Sequence, residues 1–70
     1  MTYKAILERG KTSWGAYVPE LPGCVAVADS RERVTQLIRE AVEFHVEALR
    51  ERGEPVPPDT SIEVVDAISA

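Results

Sequence analysis

Apolar and polar side chains alternate along the start of the chain: Tyr3, Ala5 and Leu7 fall on one side, Lys4, Ile6 and Glu8 on the other. A period of two is that of a β-strand, and Gly10 stops it. "KTS" continues the turn into a second strand, "WGAYV", in which Trp14, Ala16 and Val18 oppose Gly15 and Tyr17. So short a link argues for an antiparallel hairpin. "CVAVA", between Gly23 and Asp29, is a third strand and almost wholly apolar.

The segment between strands two and three reads "VPELPGC". Pro19 has no N–H to give and ends strand two. Pro22 fixes its own φ and pushes Leu21 toward an extended backbone. Gly23 is free to take an angle closed to other residues. The residues predict a rigid, wide turn and require no ligand to explain it.

From Asp29 the period changes. Val34, Leu37, Ile38, Ala41, Val42, His45, Ala48 and Leu49 recur at spacings of three and four, which is one apolar stripe of a helix. Ser30 is a fitting N-cap, with Asp29 as its competitor, and Gly53 suits the position just past the last turn. Arg50 and Arg52 complement the dipole at that end. The helix is expected from Arg31 to Arg52, about 33 Å long at 1.5 Å per residue. Its other face, with Gln36, Arg39, Glu40, Glu43, Glu47 and Arg50, is a solvated surface. "EPVPPD" breaks the helix as a stiff connector, "TSIEVVD" reads as a fourth strand, and "AISA" is expected to fray. The order β-β-β-α-β makes an α+β domain: a three-stranded antiparallel sheet, one long helix, and a fourth strand that the crossover sets parallel to an existing one.

One helix covers one face of such a sheet. Ile6 and Tyr17 point to the other face and stay wet unless another chain covers them, the usual mark of an interface. Size points the same way. Seventy residues form a single domain, 1–70, with a small core, and domains of this size often need a disulfide, a metal or self-association. Cys24 is the only cysteine and His45 the only histidine, so neither an intrachain disulfide nor a zinc site is expected. Self-association, as a homodimer or homotetramer, is what remains.

Eight basic against twelve acidic side chains give a net charge of −4, which repels phosphate backbones and favours a basic protein partner. No run of 18 apolar residues occurs and "MTYK" is no signal peptide, so a cytoplasmic protein without membrane contact is expected. No catalytic constellation emerges. Glu43 and Glu47 share a helix face, but the polar one. His45 reads as a core imidazole bonded to a carbonyl or a tyrosine hydroxyl. Cys24 reads as a small buried hydrophobe. No phosphate loop, dinucleotide fingerprint or zinc spacing is present, so no catalytic residue, metal or cofactor is assigned.

Taken together, "YKAILE", "GAYVPELPGC", the helix start "ADS", the amphipathic "REAVEFHVEALRERGEPVPP" and the last strand resemble the HicB family of bacterial antitoxins. The resemblance covers nearly the whole chain. It implies a truncated ribonuclease H-like fold without catalysis, and a domain that neutralises a small basic ribonuclease toxin, HicA. The residues agree independently on catalysis. Two-metal cleavage needs converging carboxylates, and strand one has only Glu8, at its end, which leaves Glu63 and Asp66 without a partner set. Many family members carry a further C-terminal DNA-binding domain. The chain ends at Ala70 without one, so operator DNA is not expected as a partner. Ala28 stands where the family often has glycine.

The leading expectation is therefore a non-enzymatic antitoxin-like protein, self-associating, with Trp14, Tyr17, Glu20 and Leu21 as partner or subunit contacts. The alternatives are a solitary HicB-like domain without a toxin and a small nucleic-acid-binding regulator. The latter needs Lys4, Arg9 and Lys11 to group with helix arginines in one patch.

Overall fold

The computed structural model of the chain describes residues 2–56 and 61–67. Part of the expected connector (Pro57–Asp59), Thr60 and the tail 68–70 lie outside the described residues. The elements are β1 (Thr2–Arg9), β2 (Trp14–Tyr17), β3 (Val25–Ala28), α1 (Arg31–Glu51) and β4 (Ser61–Asp66), in the predicted β-β-β-α-β order. The sheet runs β3-β2-β1-β4. β1 and β2 pair antiparallel, as do β2 and β3, while β4 lies parallel to β1. This mixed four-stranded sheet with one helix is the α+β arrangement the pattern implies.

Two successive β-turns build the link from β2 to β3. Leu21 N–H donates to the Val18 carbonyl and Cys24 N–H to the Leu21 carbonyl, both at 3.0 Å. Each turn therefore has proline at its second position, Pro19 in one and Pro22 in the other, where φ near −65° is wanted. Gly23 at the third position of the second turn has φ +84°, which a side chain would oppose. Val18 N–H donates to the Cys24 carbonyl at 3.1 Å and closes the pair of turns. Leu21, shared by both, is thrown inward and buried.

α1 begins at Ser30, whose backbone is extended and whose hydroxyl accepts from Arg33 N–H at 3.1 Å. Asp29, the competing candidate, lies one residue outside. The helix ends in a Schellman motif: Glu54 N–H donates to the Leu49 carbonyl and Gly53 N–H to the Arg50 carbonyl, both at 3.0 Å, with Gly53 at φ +79°.

The ridge that α1 lays on the sheet is Val34, Ile38, Val42 and Val46. It meets Tyr3, Ala5 and Leu7 of β1, Ala16 of β2, and Val18, Leu21 and Cys24 of the linking turns. Alanine at sheet positions 5 and 16 leaves room for the branched side chains above, so the two layers interlock. The expected core imidazole needs correcting. His45 is only half-buried, and the buried position is its neighbour Val46. A helix crosses a sheet along a row of i+4 neighbours, which drifts round the helix. Three such steps lead from Val34 through Ile38 and Val42 to Val46 and leave His45 on the flank. No hydrogen bond from the imidazole to another described residue is found. α1 sits over β3, β2 and β1, and beside β4 a groove remains, floored by Val42, Val46 and Ile62.

Candidate functional site

Register fixes what lies on the sheet face turned away from α1. Tyr17 is opposite both Val25 and Ile6, and Ile6 is opposite Val65. Strand by strand this is one row, Val25–Tyr17–Ile6–Val65, crossing all four strands with no charged side chain in it. Next to it Gly15 pairs Val27 on one side and Glu8 on the other. On the remaining side Lys4 and Glu63 stand opposite one another, and beyond them Thr2 and Ser61 share a hydroxyl hydrogen bond of 3.1 Å. The face is apolar at its centre, with Glu8 on one side of the row and a larger polar group on the other.

Exposure follows. Val25 is 65% exposed, Val27 69% and Tyr17 39%, while Ile6 and Val65 are half-buried by their neighbours. β3, almost wholly apolar in sequence, is not a strand covered on both faces. It is an edge strand with two valines in water and one row of backbone groups unpaired by the sheet. Edges are ordinarily blunted by charge, proline or a bulge, and β3 has none of these.

The four residues expected as contacts do not form one surface. Tyr17 lies in the uncovered row, and Glu20 is exposed on the turn. Trp14 is on the helix side of β2, partly buried against the core, and Leu21 is inside it. Val25, Val27 and Val65 were not singled out from the sequence. For Val25 and Val27 the signal was available in the unbroken apolar run of β3, which only the strand order turns outward; Val65 lies on β4.

Charged groups are placed so as not to converge. Arg31 clasps Asp66 on the helix side of β4, Nε to Oδ1 at 2.9 Å and Nη2 to Oδ2 at 2.8 Å. The bond holds the Asp66 carboxyl below the usual carboxylate range and raises Arg31 further. Glu63 is on the opposite face of the same strand, so these two carboxylates cannot share an ion. Among the described residues no three His, Cys, Asp or Glu side chains group closely enough to hold a metal. Cys24 is buried, and burial pushes its thiol up and away from the nucleophilic thiolate. Lys4 and Arg9 point to opposite faces of β1, which breaks up the basic patch a nucleic-acid reading requires. No helix among the described residues is long and apolar enough to cross a membrane.

Comparison with known proteins gives a consistent result. Residues 3–69 match the family described as HicB-like antitoxin of bacterial toxin–antitoxin systems. The chain is 34% identical over 61 residues to a UPF0150 protein of Synechocystis, covering 86% of this chain and 77% of that one. It is 30% identical over 63 residues to a 14.9 kDa protein of Haemophilus phage HP1, covering 90% of this chain and 47% of that one. The chain thus spans about half the length of that phage relative. Its fold is similar to the N-terminal domain of antitoxin HicB from Burkholderia pseudomallei, with a TM-score of 0.65 and 32% identity over 81% of this chain and 67% of that one.

Proposed function

Because the chain belongs to the HicB-like antitoxin family, we propose that it is a non-enzymatic cytoplasmic binding protein that self-associates and neutralises a small basic toxin of the HicA type. The observation that supports the binding reading is the uncovered row Val25–Tyr17–Ile6–Val65. An apolar strip across a whole sheet face is costly to leave in water, and a contiguous patch of this kind marks a place where another surface belongs.

A second copy of this chain fits the row. Two molecules of net charge −4 repel at a distance, and they meet best where neither carries charge. The row supplies that place, and the valines of β3 extend it to the sheet edge. Tyr17 gives a rigid ring at its centre, the kind of side chain that anchors interfaces. The toxin is drawn by the rest of the surface. A basic protein approaching an acidic one gains in encounter rate, and that gain falls as salt rises.

The test is calorimetry of the purified chain against a purified small basic toxin of the HicA type, at low and at moderate salt. Saturable binding that weakens with salt is expected. Absence of heat at low salt, with both proteins folded, removes the antitoxin reading. Mass by sedimentation tests self-association separately.

A further inference from the structure

The sheet face is not the one apolar feature left in water. Phe44, in the middle of α1, is 77% exposed, the largest exposure among the big hydrophobic side chains of the described residues. On a helix, residues three, four and seven apart stand side by side. Leu37, Ala41 and Ala48, at seven and three before and four after Phe44, form a shoulder joining it to the core seam, and all three are half-buried. Glu40 and Glu47, four before and three after, are exposed on its other side. Phe44 is thus an aromatic ring between an apolar shoulder and two carboxylates.

We propose that this edge of α1 is the docking surface for the basic partner, with Phe44 as its anchor, and that it is separate from the sheet face that meets a second copy. The proposal rests on the antitoxin reading above for the existence of that partner, and adds where it binds and what its surface must offer: an apolar depression flanked by lysine or arginine. Charge decides between occupants. Two copies of this stripe packed antiparallel bring Glu40 of one beside Glu47 of the other, and like charges brought together at an interface oppose it. Phosphate groups are repelled for the same reason. A cationic protein surface satisfies both carboxylates and buries the ring. An aromatic side chain seated in a pocket and ringed by polar contacts is the usual form of an energetic hot spot. The uncharged row on the sheet suits self-association and gives a basic partner nothing to pair with.

The experiment compares wild type, Phe44→Ala, a Glu40→Gln/Glu47→Gln double variant and Tyr17→Glu. Each is titrated against a purified small basic toxin of the HicA type, with mass by sedimentation and thermal midpoints measured in parallel. Phe44→Ala is expected to weaken binding at least tenfold, as for a hot-spot residue. The double variant should weaken it less and flatten its salt dependence. Neither should alter mass or thermal midpoint, since all three side chains are exposed. Tyr17→Glu should lower the mass and keep the affinity per chain. If wild type binds and Phe44→Ala binds equally well, the docking surface is elsewhere and this inference alone is lost. If Phe44→Ala lowers the mass, the stripe joins two copies and the inference is overturned in that direction. If wild type itself does not bind, the antitoxin reading falls first and takes this surface with it.

Discussion

Arg31, the first residue of α1, and Asp66, the last of β4, are joined by two parallel hydrogen bonds of 2.9 and 2.8 Å across 35 residues of chain. The pair ties the start of the helix to the end of the strand that closes the sheet. A planar guanidinium matches both carboxylate oxygens at once, which an ammonium cannot do. Both side chains are about half exposed, so salt and water weaken the tie.

This pair predicts a pH dependence. The Asp66 carboxyl titrates lower in the folded chain than in the unfolded one. Its contribution is whole above roughly pH 5 and is lost as pH falls through the folded value. Asp66→Asn should therefore lose less stability than wild type between pH 5 and pH 3, while being slightly less stable at pH 7. Urea midpoints at the three pH values check this. Parallel acid limbs for the two proteins would show that the bond contributes nothing.

Gly23→Ala should cost about 1–2 kcal/mol, the penalty for an L side chain in the left-handed region. Space is not the reason, since a Cβ there meets nothing within 4 Å. Chemical denaturation should record the loss with little change in the slope against denaturant. Glu20→Ala, on the exposed part of the same pair of turns, is expected to stay within about 0.5 kcal/mol of wild type.

Val46→Ala and His45→Ala make a matched pair. Val46 is 6% exposed against the sheet, and removing two buried carbons at about 0.8 kcal/mol each, with a cavity left behind, should cost about 2 kcal/mol. His45→Ala should change stability by no more than about 0.5 kcal/mol. The reverse order would put the imidazole back in the core.

Self-association should depend on the uncovered row. Tyr17→Glu, or Val27→Lys at the strand edge, is expected to reduce the sedimenting mass to that of one chain and to leave the far-ultraviolet spectrum unchanged. Because the contact is apolar, sodium chloride should not dissolve it, and sulfate should strengthen it. A wild-type chain that sediments as a monomer at millimolar concentration defeats the proposal.

Much of this architecture was legible in the residues because local signals agreed. Alternation in β1, the prolines and Gly23 of the double turn, the Ser30 cap and Gly53 each specify backbone without help from distant contacts. What escaped depends on partners far along the chain. An apolar run such as that of β3 is the same whether both faces are buried or the strand stands at an edge, and only pairing with β2 decides. His45 and Val46 differ by 100° round the helix, and which one enters the core is set by how α1 crosses the sheet. Phe44 escaped because a single aromatic amid glutamates carries no period of its own. Its company on the shoulder appears when the ring is placed on the helix and the core is seen to claim a different row.

The parallel contact between β1 and β4 has a kinetic consequence. Thr2 and Ser61 are 59 residues apart, so this ladder forms only after a long loop is closed, whereas β1, β2 and β3 zip through short local turns. The hairpins and the capped helix are therefore expected to assemble around Ala5 and Ala16 first, with β4 docking last, an order that pulse-labelled hydrogen exchange during refolding would check. Since α1 gives β4 little cover, its amides should also be among the first in the sheet to exchange with solvent, a soft seam in an otherwise locally written fold.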